Sequence, residues 1–300
     1  MTSEKPKWKF PKHFLGAFRC TEVKYAEDFI NKGTIKFNSP NSWVKYAKEK
    51  SEGRGDLLEG TVAAYSIYDT ESVIALNNKY SDYELKGQLI REKVKDRIYL
   101  KLKSSMELPC FCFYTLNMDM FQCPKKMGDN IIECDMPPSF FRDFTDNMTL
   151  TQMNSLPVEK QPSIIIIEDY NEFEKRLRKK LYSLDIRDDE IISVNIRYVN
   201  YDHPVNYLNY QEGKFSWYCY DGIPPMELSI KDKRFFYQNE GRIIVNTKNQ
   251  EAKNYLLNNI VDIGNMSDIA QKFDGYCYEG IHLKVKCDVQ EYKDNNLSVK

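Results

Sequence analysis

The side chains best suited to chemistry in this chain stand at the ends of short apolar runs. Arg19 follows Phe18 at the end of the first run. Asn38 and Ser39 close the next one, just before Pro40. A glycine-punctuated loop then carries Arg54-Gly55-Asp56 and Glu59-Gly60. Far downstream comes Phe236-Tyr237-Gln238-Asn239-Glu240-Gly241-Arg242, followed at once by Ile243-Ile244-Val245. A guanidinium suits phosphate oxygens because its donors form a planar fork. A glutamate beside an apolar stretch costs free energy unless it is paired. Alternation puts Gln238 and Glu240 on one side of an expected strand over residues 235–245, with Arg242 or Arg54 as candidate ion partners for Glu240. Asp56 and Glu59 read either as an acidic pair for substrate hydroxyls or as helix caps and surface charges.

Several other chemistries lack their residues. There is no Walker loop, no G-x-G-x-x-G after a strand, no G-x-S-x-G elbow and no H-E-x-x-H. The three histidines, His13, His203 and His282, are too scattered to support a histidine relay. Eight cysteines are present without a C-x-x-C pair, so the spacing of a zinc site is missing. Cys110 and Cys112 share one face of an expected strand but have no evident histidine partner for a thiol nucleophile. The cysteines read as reduced, mostly buried thiols of a cytoplasmic protein.

Composition narrows the classes further. Hydrophobic residues make up 42% of the 300 residues and charged residues 29%, with a net charge of −1. Such a chain can bury a core without disulfide or metal staples, and its balance removes the usual electrostatic argument for a nucleic-acid surface. The 21 Tyr and 16 Phe are mostly core and sheet material. The longest purely apolar runs, residues 164–167 and 110–114, fall far short of the roughly 20 residues of a membrane span. Lys5, Lys7 and Lys9 are followed by no apolar stretch, so no secretory signal is expected.

The elements that must position these residues follow from periodicity. Residues 14–20 predict a strand, and residues 22–31 a helix that Gly33 stops. Residues 34–39 alternate as a strand up to Pro40. Ser81 and Glu84 match a capping box opening a helix to about residue 101. Pro109 introduces a strand over residues 110–116, and residues 163–167 a buried one. Tyr170, Phe173, Leu177 and Leu181 fall on one face of a helix. The basic side chains Lys175, Arg176, Arg178, Lys179 and Lys180 form its solvated face, or a phosphate-binding face for nucleic acid. Strands over 192–198 and 281–289 and a helix over 250–260 complete the reading. Strands outnumber crossover helices, which predicts one α+β domain with mixed or antiparallel sheets over residues 13–300, after a tail of residues 1–12. Helical or irregular insertions are expected around 62–108 and 124–162.

The order Phe-Arg strand, helix, Gly, alternating strand, Asn-Ser-Pro resembles the opening of DNA-targeting toxin ADP-ribosyltransferases and RNA 2'-phosphotransferases. The segment Gln238-Asn239-Glu240 with Ile243-Ile244-Val245 is similar to the strand bearing their catalytic glutamate. Pro109-Cys110-Phe111-Cys112-Phe113, with Met120 and Phe121, is similar to a large uncharacterised bacterial family. That family pairs a Ser-Pro and acidic-loop motif with a late aromatic-x-x-Glu-x-Arg strand. The resemblance covers about a third of the chain. The chain departs from these relatives in having Arg19 rather than His at the first motif and in lacking a Ser-Thr-Ser triplet at the second strand.

The resemblance implies a split mixed/antiparallel sheet core with peripheral helices, clasping NAD as substrate. It implies that Arg19 anchors the nicotinamide ribose or pyrophosphate, with Asn38 or Ser39 near the ribose. Arg54, Asp56 and Glu59 are expected as further cofactor-binding residues, although the toxin relatives lack the loop that carries Asp56 and Glu59. Glu240 would hydrogen-bond a ribose hydroxyl and stabilise the oxocarbenium-like charge that grows as nicotinamide leaves. Gln238 would orient the acceptor. The expected activity is NAD-dependent ADP-ribosyl transfer to nucleic acid, nucleotide or protein by a bacterial or phage toxin or defence effector, without a membrane partner. With water as acceptor it becomes an NAD glycohydrolase. A rival reading is a non-catalytic nucleotide- or protein-binding module on the same fold. Another is a metal-dependent nuclease using Asp56, Glu59 and Glu240 as oxygen ligands.

Overall fold

A computed structural model describes residues 14–50, 54–117, 122–126, 131–136, 144–145, 147–201, 218–219, 222–275 and 281–286. The chain opens with β1 (Phe14–Glu22), α1 (Val23–Lys32), β2 (Thr34–Ile35), α2 (Pro40–Glu49), β3 (Thr61–Ser66) and α3 (Thr70–Leu85). It continues through β4 (Leu89–Val94), β5 (Arg97–Leu102), the single turn α4 (Lys103–Met106), β6 (Cys110–Asn117), β7 (Gln122–Lys126) and β8 (Ile131–Met136). Next come α5 (Leu150–Asn154), β9 (Pro162–Ile167), α6 (Tyr170–Tyr182), β10 (Ile191–Asn195), β11 (Arg197–Val199) and β12 (Tyr218–Cys219). The last are β13 (Ile230–Asp232), β14 (Glu240–Val245), α7 (Gln250–Asn258), β15 (Val261–Asp262), β16 (Ala270–Asp274) and β17 (Ile281–Lys286). The protein is α+β, with mainly antiparallel pairing, and β11 pairs parallel with β13.

The chain divides into two compact units. The smaller contains β1, α1, the second half of β6, β9 and β16. There β1 pairs antiparallel with β6 and β9, and β9 pairs with β16 on its other edge. All six residues of β9 are buried, as a run of four isoleucines dictates for a central strand. Phe29 of α1 packs against Phe173 with ring centroids 6.2 Å apart. Gly33 ends α1 in the left-handed conformation at φ 64, where its N–H reaches the Phe29 carbonyl. A second antiparallel sheet of this unit has the order β17-β8-β7.

The larger unit comprises residues 35–113 and 176–263 of the described chain. In it β12, β3, β5 and β4 form an antiparallel sheet in that order. Its core packs Val62, Tyr65, Leu100 and Leu102 against Leu76 and Tyr80 of α3. Elsewhere in the unit β14 lies between β10 and the first half of β6. Ile244 joins Leu108, Cys110, Val194 and Leu228 in a second apolar cluster.

Three local expectations change. The helix expected to open at Ser81 instead begins at Thr70, where the Asp69 side chain accepts from Ser72 N–H at 3.0 Å. It ends before Gly87 at φ 63, and Leu89–Leu102 form the antiparallel hairpin β4–β5 rather than more helix. Alternation outweighs the capping-box match there, because Ser81 only bonds back to the Asn78 carbonyl within the helix. The strand expected over 34–39 shortens to β2 plus one backbone bridge between Asn38 and Cys110. The strand expected over 235–245 begins only at Glu240. A 3-10 helix, Lys233–Gln238, precedes it, started by Asp232 accepting from Arg234 N–H and ended by Asn239 at φ 43.

Helix α6 follows its periodicity. Tyr170, Phe173, Leu177 and Leu181 are all buried, while Lys175 and Arg178 pair outward with Glu172 and Asp188. Cys287, His13 and His203 lie outside the described residues, and His282 lies on β17.

Candidate functional site

The site grows from one arginine inside a strand. β14 is buried along its whole length, yet it carries Glu240 and Arg242 two residues apart, on the same face. Arg242 is 1% exposed and uses its fork in three directions. Its Nη1 donates to Glu59 Oε1 at 2.6 Å and to the Leu228 carbonyl at 2.7 Å. Its Nη2 donates to Glu240 Oε1 at 2.6 Å, and its Nε to the same oxygen at 3.1 Å. The guanidinium lies 4.7 Å from the centre of the Trp43 ring, a cation–π contact from α2.

A second cation completes the arrangement. Lys231 of β13 donates to Glu240 Oε2 at 2.9 Å and to Gln238 Oε1 at 2.8 Å, with its ammonium 4.9 Å from the Phe235 ring centre. Gln238 and Glu240 therefore do meet, but not as neighbours on one strand. The left-handed turn at Asn239 joins a 3-10 helix to β14, and Lys231 bridges the two side chains. The Glu240 N–H donates to the Tyr198 hydroxyl at 2.8 Å.

The acidic loop reaches this cluster for a backbone reason. Gly55 passes so close to α2 that an added Cβ would stand 2.5 Å from Ala47 N and 2.6 Å from the Trp43 carbonyl. Gly60 turns the chain at φ 70 with Met106 and Leu228 against it. Asp56 and Glu59, held between these two glycines, are each 1% exposed, which overturns their reading as surface charges. Asp56 accepts the Leu58 N–H at 2.8 Å through Oδ1, while its buried Oδ2 has no hydrogen-bond partner among the described residues.

The electrostatics separate the two acids sharply. Burial works to raise the Glu240 carboxyl, but the charges of Arg242 and Lys231 overcome it and hold the group at about 2. Burial followed by the Glu59 charge raises Asp56 from 3.8 to about 7, with Lys231 opposing. Glu59 and Glu240 are ion-paired with Arg242 and Lys231, so the cluster gains one negative charge when Asp56 ionises. Burial pushes the Cys110 thiol up to about 12, and burial with the nearby Glu240 charge raises Cys112 further from its thiolate. Neither thiol is poised as a nucleophile.

The remaining expected residues fall at other places. Ser39 is the N-cap of α2, its hydroxyl accepting from Ser42 N–H at 3.3 Å, with Pro40 at the first helical position. Asn38 exchanges both backbone hydrogen bonds with Cys110. Arg54 is exposed, with its guanidinium 5.2 Å from the Tyr46 ring centre. Arg19 is half-buried on β1 of the smaller unit, opposite Ile165. Among the described residues no group of three or more His, Cys, Asp or Glu side chains is arranged to hold a metal ion. Of the three acids of the metal-dependent reading, Glu59 and Glu240 are ion-paired, with Arg242 and Lys231.

Sequence reasoning missed Lys231, Trp43 and Tyr198, and it treated Arg242 as a possible partner for Glu240 and as the arginine of the Glu-x-Arg motif. The signal for Arg242 was present: a guanidinium between Gly241 and Ile243-Ile244-Val245 has to find acids inside the protein. Lys231, Trp43 and Tyr198 carry no such mark, being single polar or aromatic residues in ordinary alternating contexts.

No family model, curated protein or solved structure matches this chain. Among the described residues no helix is long and apolar enough to cross a membrane.

Proposed function

We propose that the protein is an ADP-ribosyltransferase-like enzyme that consumes NAD, with a split-sheet core of that type. The observation carrying this reading is the meeting of two acidic motifs. Glu59 and Arg242 stand 183 positions apart yet share a bidentate ion pair, which brings Asp56 and Glu59 to the same cations as Gln238 and Glu240. Breaking the bond between nicotinamide and ribose builds positive charge on the sugar. A cluster that gains a negative charge as Asp56 ionises stabilises that transition state more than the ground state. The fixed carboxylate is Glu240, and the carboxyl that sets the cluster's charge is Asp56. Transfer then rises with pH as Asp56 ionises near 7. The acceptor is a nucleic acid, nucleotide or protein, in keeping with a toxin or defence effector. Water as acceptor gives a glycohydrolase.

One observation favours a second reading, a nucleotide-binding module without turnover. Both Glu240 oxygens are already engaged, by Arg242 and by Lys231. Radiolabelled NAD incubated with wild type and Glu240→Gln, with and without cell lysate, separates the cases. The transferase reading expects nicotinamide release and a labelled macromolecule from wild type alone, and free labelled ADP-ribose marks hydrolysis. Saturable NAD binding without release supports the module. Neither binding nor release overturns both.

A further inference from the structure

Away from the ion cluster, one buried acid has no countercharge. Glu227 lies in the 3-10 turn Met226–Ser229 and is 0% exposed. Among the described residues neither of its carboxyl oxygens has a partner within hydrogen-bond geometry. Folded interiors satisfy nearly all such groups, because an unpaired buried carboxyl is costly. The side chain lines a pocket of about 130 Å³. Tyr80 and Tyr83 of α3 form one wall, their ring centres 6.2 Å apart and their planes inclined by 51°. Val62 and Leu102 supply apolar surface, and Lys79 is exposed at the edge with its ammonium 5.8 Å from the Tyr80 ring centre.

We propose that this pocket binds a guanidinium group, whose paired N–H donors meet the two oxygens of Glu227 while its plane lies against the tyrosine rings. Three features select that chemistry. Two coplanar oxygens without partners call for two parallel donors, which a guanidinium provides and an ammonium does not. A weakly hydrated planar cation also stacks on aromatic faces. A cavity of about 150 Å³ takes up benzene, so 130 Å³ accommodates the smaller guanidinium head. Burial raises the Glu227 carboxyl. A cation entering must displace that proton, so binding tightens as pH rises. The other titratable groups on the pocket wall are Lys79, Tyr80 and Tyr83. The inference is independent of the NAD reading, since neither Arg242 nor Lys231 lines this pocket.

The test titrates the full chain with methylguanidinium, methylammonium and neutral methylurea at equal ionic strength, followed by calorimetry at pH 6 and pH 8. Wild type should bind methylguanidinium saturably, more tightly at pH 8, and about tenfold or more ahead of the other two probes. Glu227→Gln should lose about tenfold or more of that affinity, and Tyr83→Leu a smaller factor, both with cooperative unfolding retained. Methylurea binding as tightly as methylguanidinium in wild type overturns the proposal, a comparison that needs no variant to fold. So does equal methylguanidinium affinity in Glu227→Gln. Absence of saturable binding to wild type overturns it too, and leaves water as the partner of Glu227.

Discussion

The two units fill their interiors in opposite ways. Every charged side chain that is buried among the described residues belongs to the larger unit, from Asp56 and Glu59 through Lys101 to Lys231, Glu240 and Arg242. The smaller unit buries Phe18, Phe29, the isoleucines of β9 and Phe173, with only hydroxyls such as Ser163 and Thr115 among them. An apolar interior stabilises simply by leaving water, at roughly 25 cal/mol per Å². A charged interior must first lose its hydration, and well-packed apolar residues of similar volume are often as stable or more so. The larger unit therefore holds its charges at no advantage to folding, and their arrangement asks for a chemical reason.

The comparison can be broken most forcefully at Arg242. Arg242→Met leaves Glu59 and Glu240 buried without their shared cation and should cost about 3–5 kcal/mol in urea unfolding. In the smaller unit Ile165→Ala should cost about 2–5 kcal/mol by cavity formation. The two losses differ in kind. Acidification that protonates the glutamates should relieve the first, and pH should leave the second unchanged.

Asp56→Asn sharpens the contrast through pH. The folded Asp56 carboxyl, at about 7, lies above its ordinary 3.8. Its contribution to stability is complete below 3.8 and is lost as pH rises through 7, at a slope of about 1.4 kcal/mol per pH unit for one proton. Glu240 runs the other way: its contribution is present above its ordinary 4.5 and is lost as pH falls toward 2. Denaturant unfolding of Asp56→Asn should show a shallower decline between pH 4 and 7 than wild type, the remainder coming from Glu227, while the acid limb set by Glu240 persists. The smallest effect is expected at the surface. Arg178→Ala breaks a pair with Asp188, which is 76% exposed, and should change stability by about 0–1 kcal/mol.

How much of this was legible in the residues depended on whether a local pattern was decisive. The run Ile164–Ile167 and the face Tyr170, Phe173, Leu177, Leu181 have one physical solution each, and both adopt it. Ser39-Pro40 and Gly33 marked a helix start and a helix end as their backbone preferences require. Residues 86–102 misled because Ser81 and Glu84 mimic a cap inside a helix that had already begun at Thr70. At the site, Asp56, Glu59, Gln238 and Glu240 were visible as polar residues beside glycines and apolar runs. Their burial was not, because it depends on Gly55 closing onto α2, a contact between backbones that residue types do not encode. The same holds for Lys231, whose role exists only once Asn239 turns Gln238 and Glu240 toward it.

The charged interior of the larger unit is claimed as an NAD site, and ligand-linked stability tests that most directly. Thermal unfolding of wild type and Glu240→Gln would be followed across a series of NAD concentrations. A ligand at a hundred times its dissociation constant stabilises the folded state by about 2.7 kcal/mol. The account predicts a midpoint that climbs with NAD in wild type and stays flat in Glu240→Gln. A wild-type midpoint unmoved by millimolar NAD, or an equal climb in the variant, would contradict it.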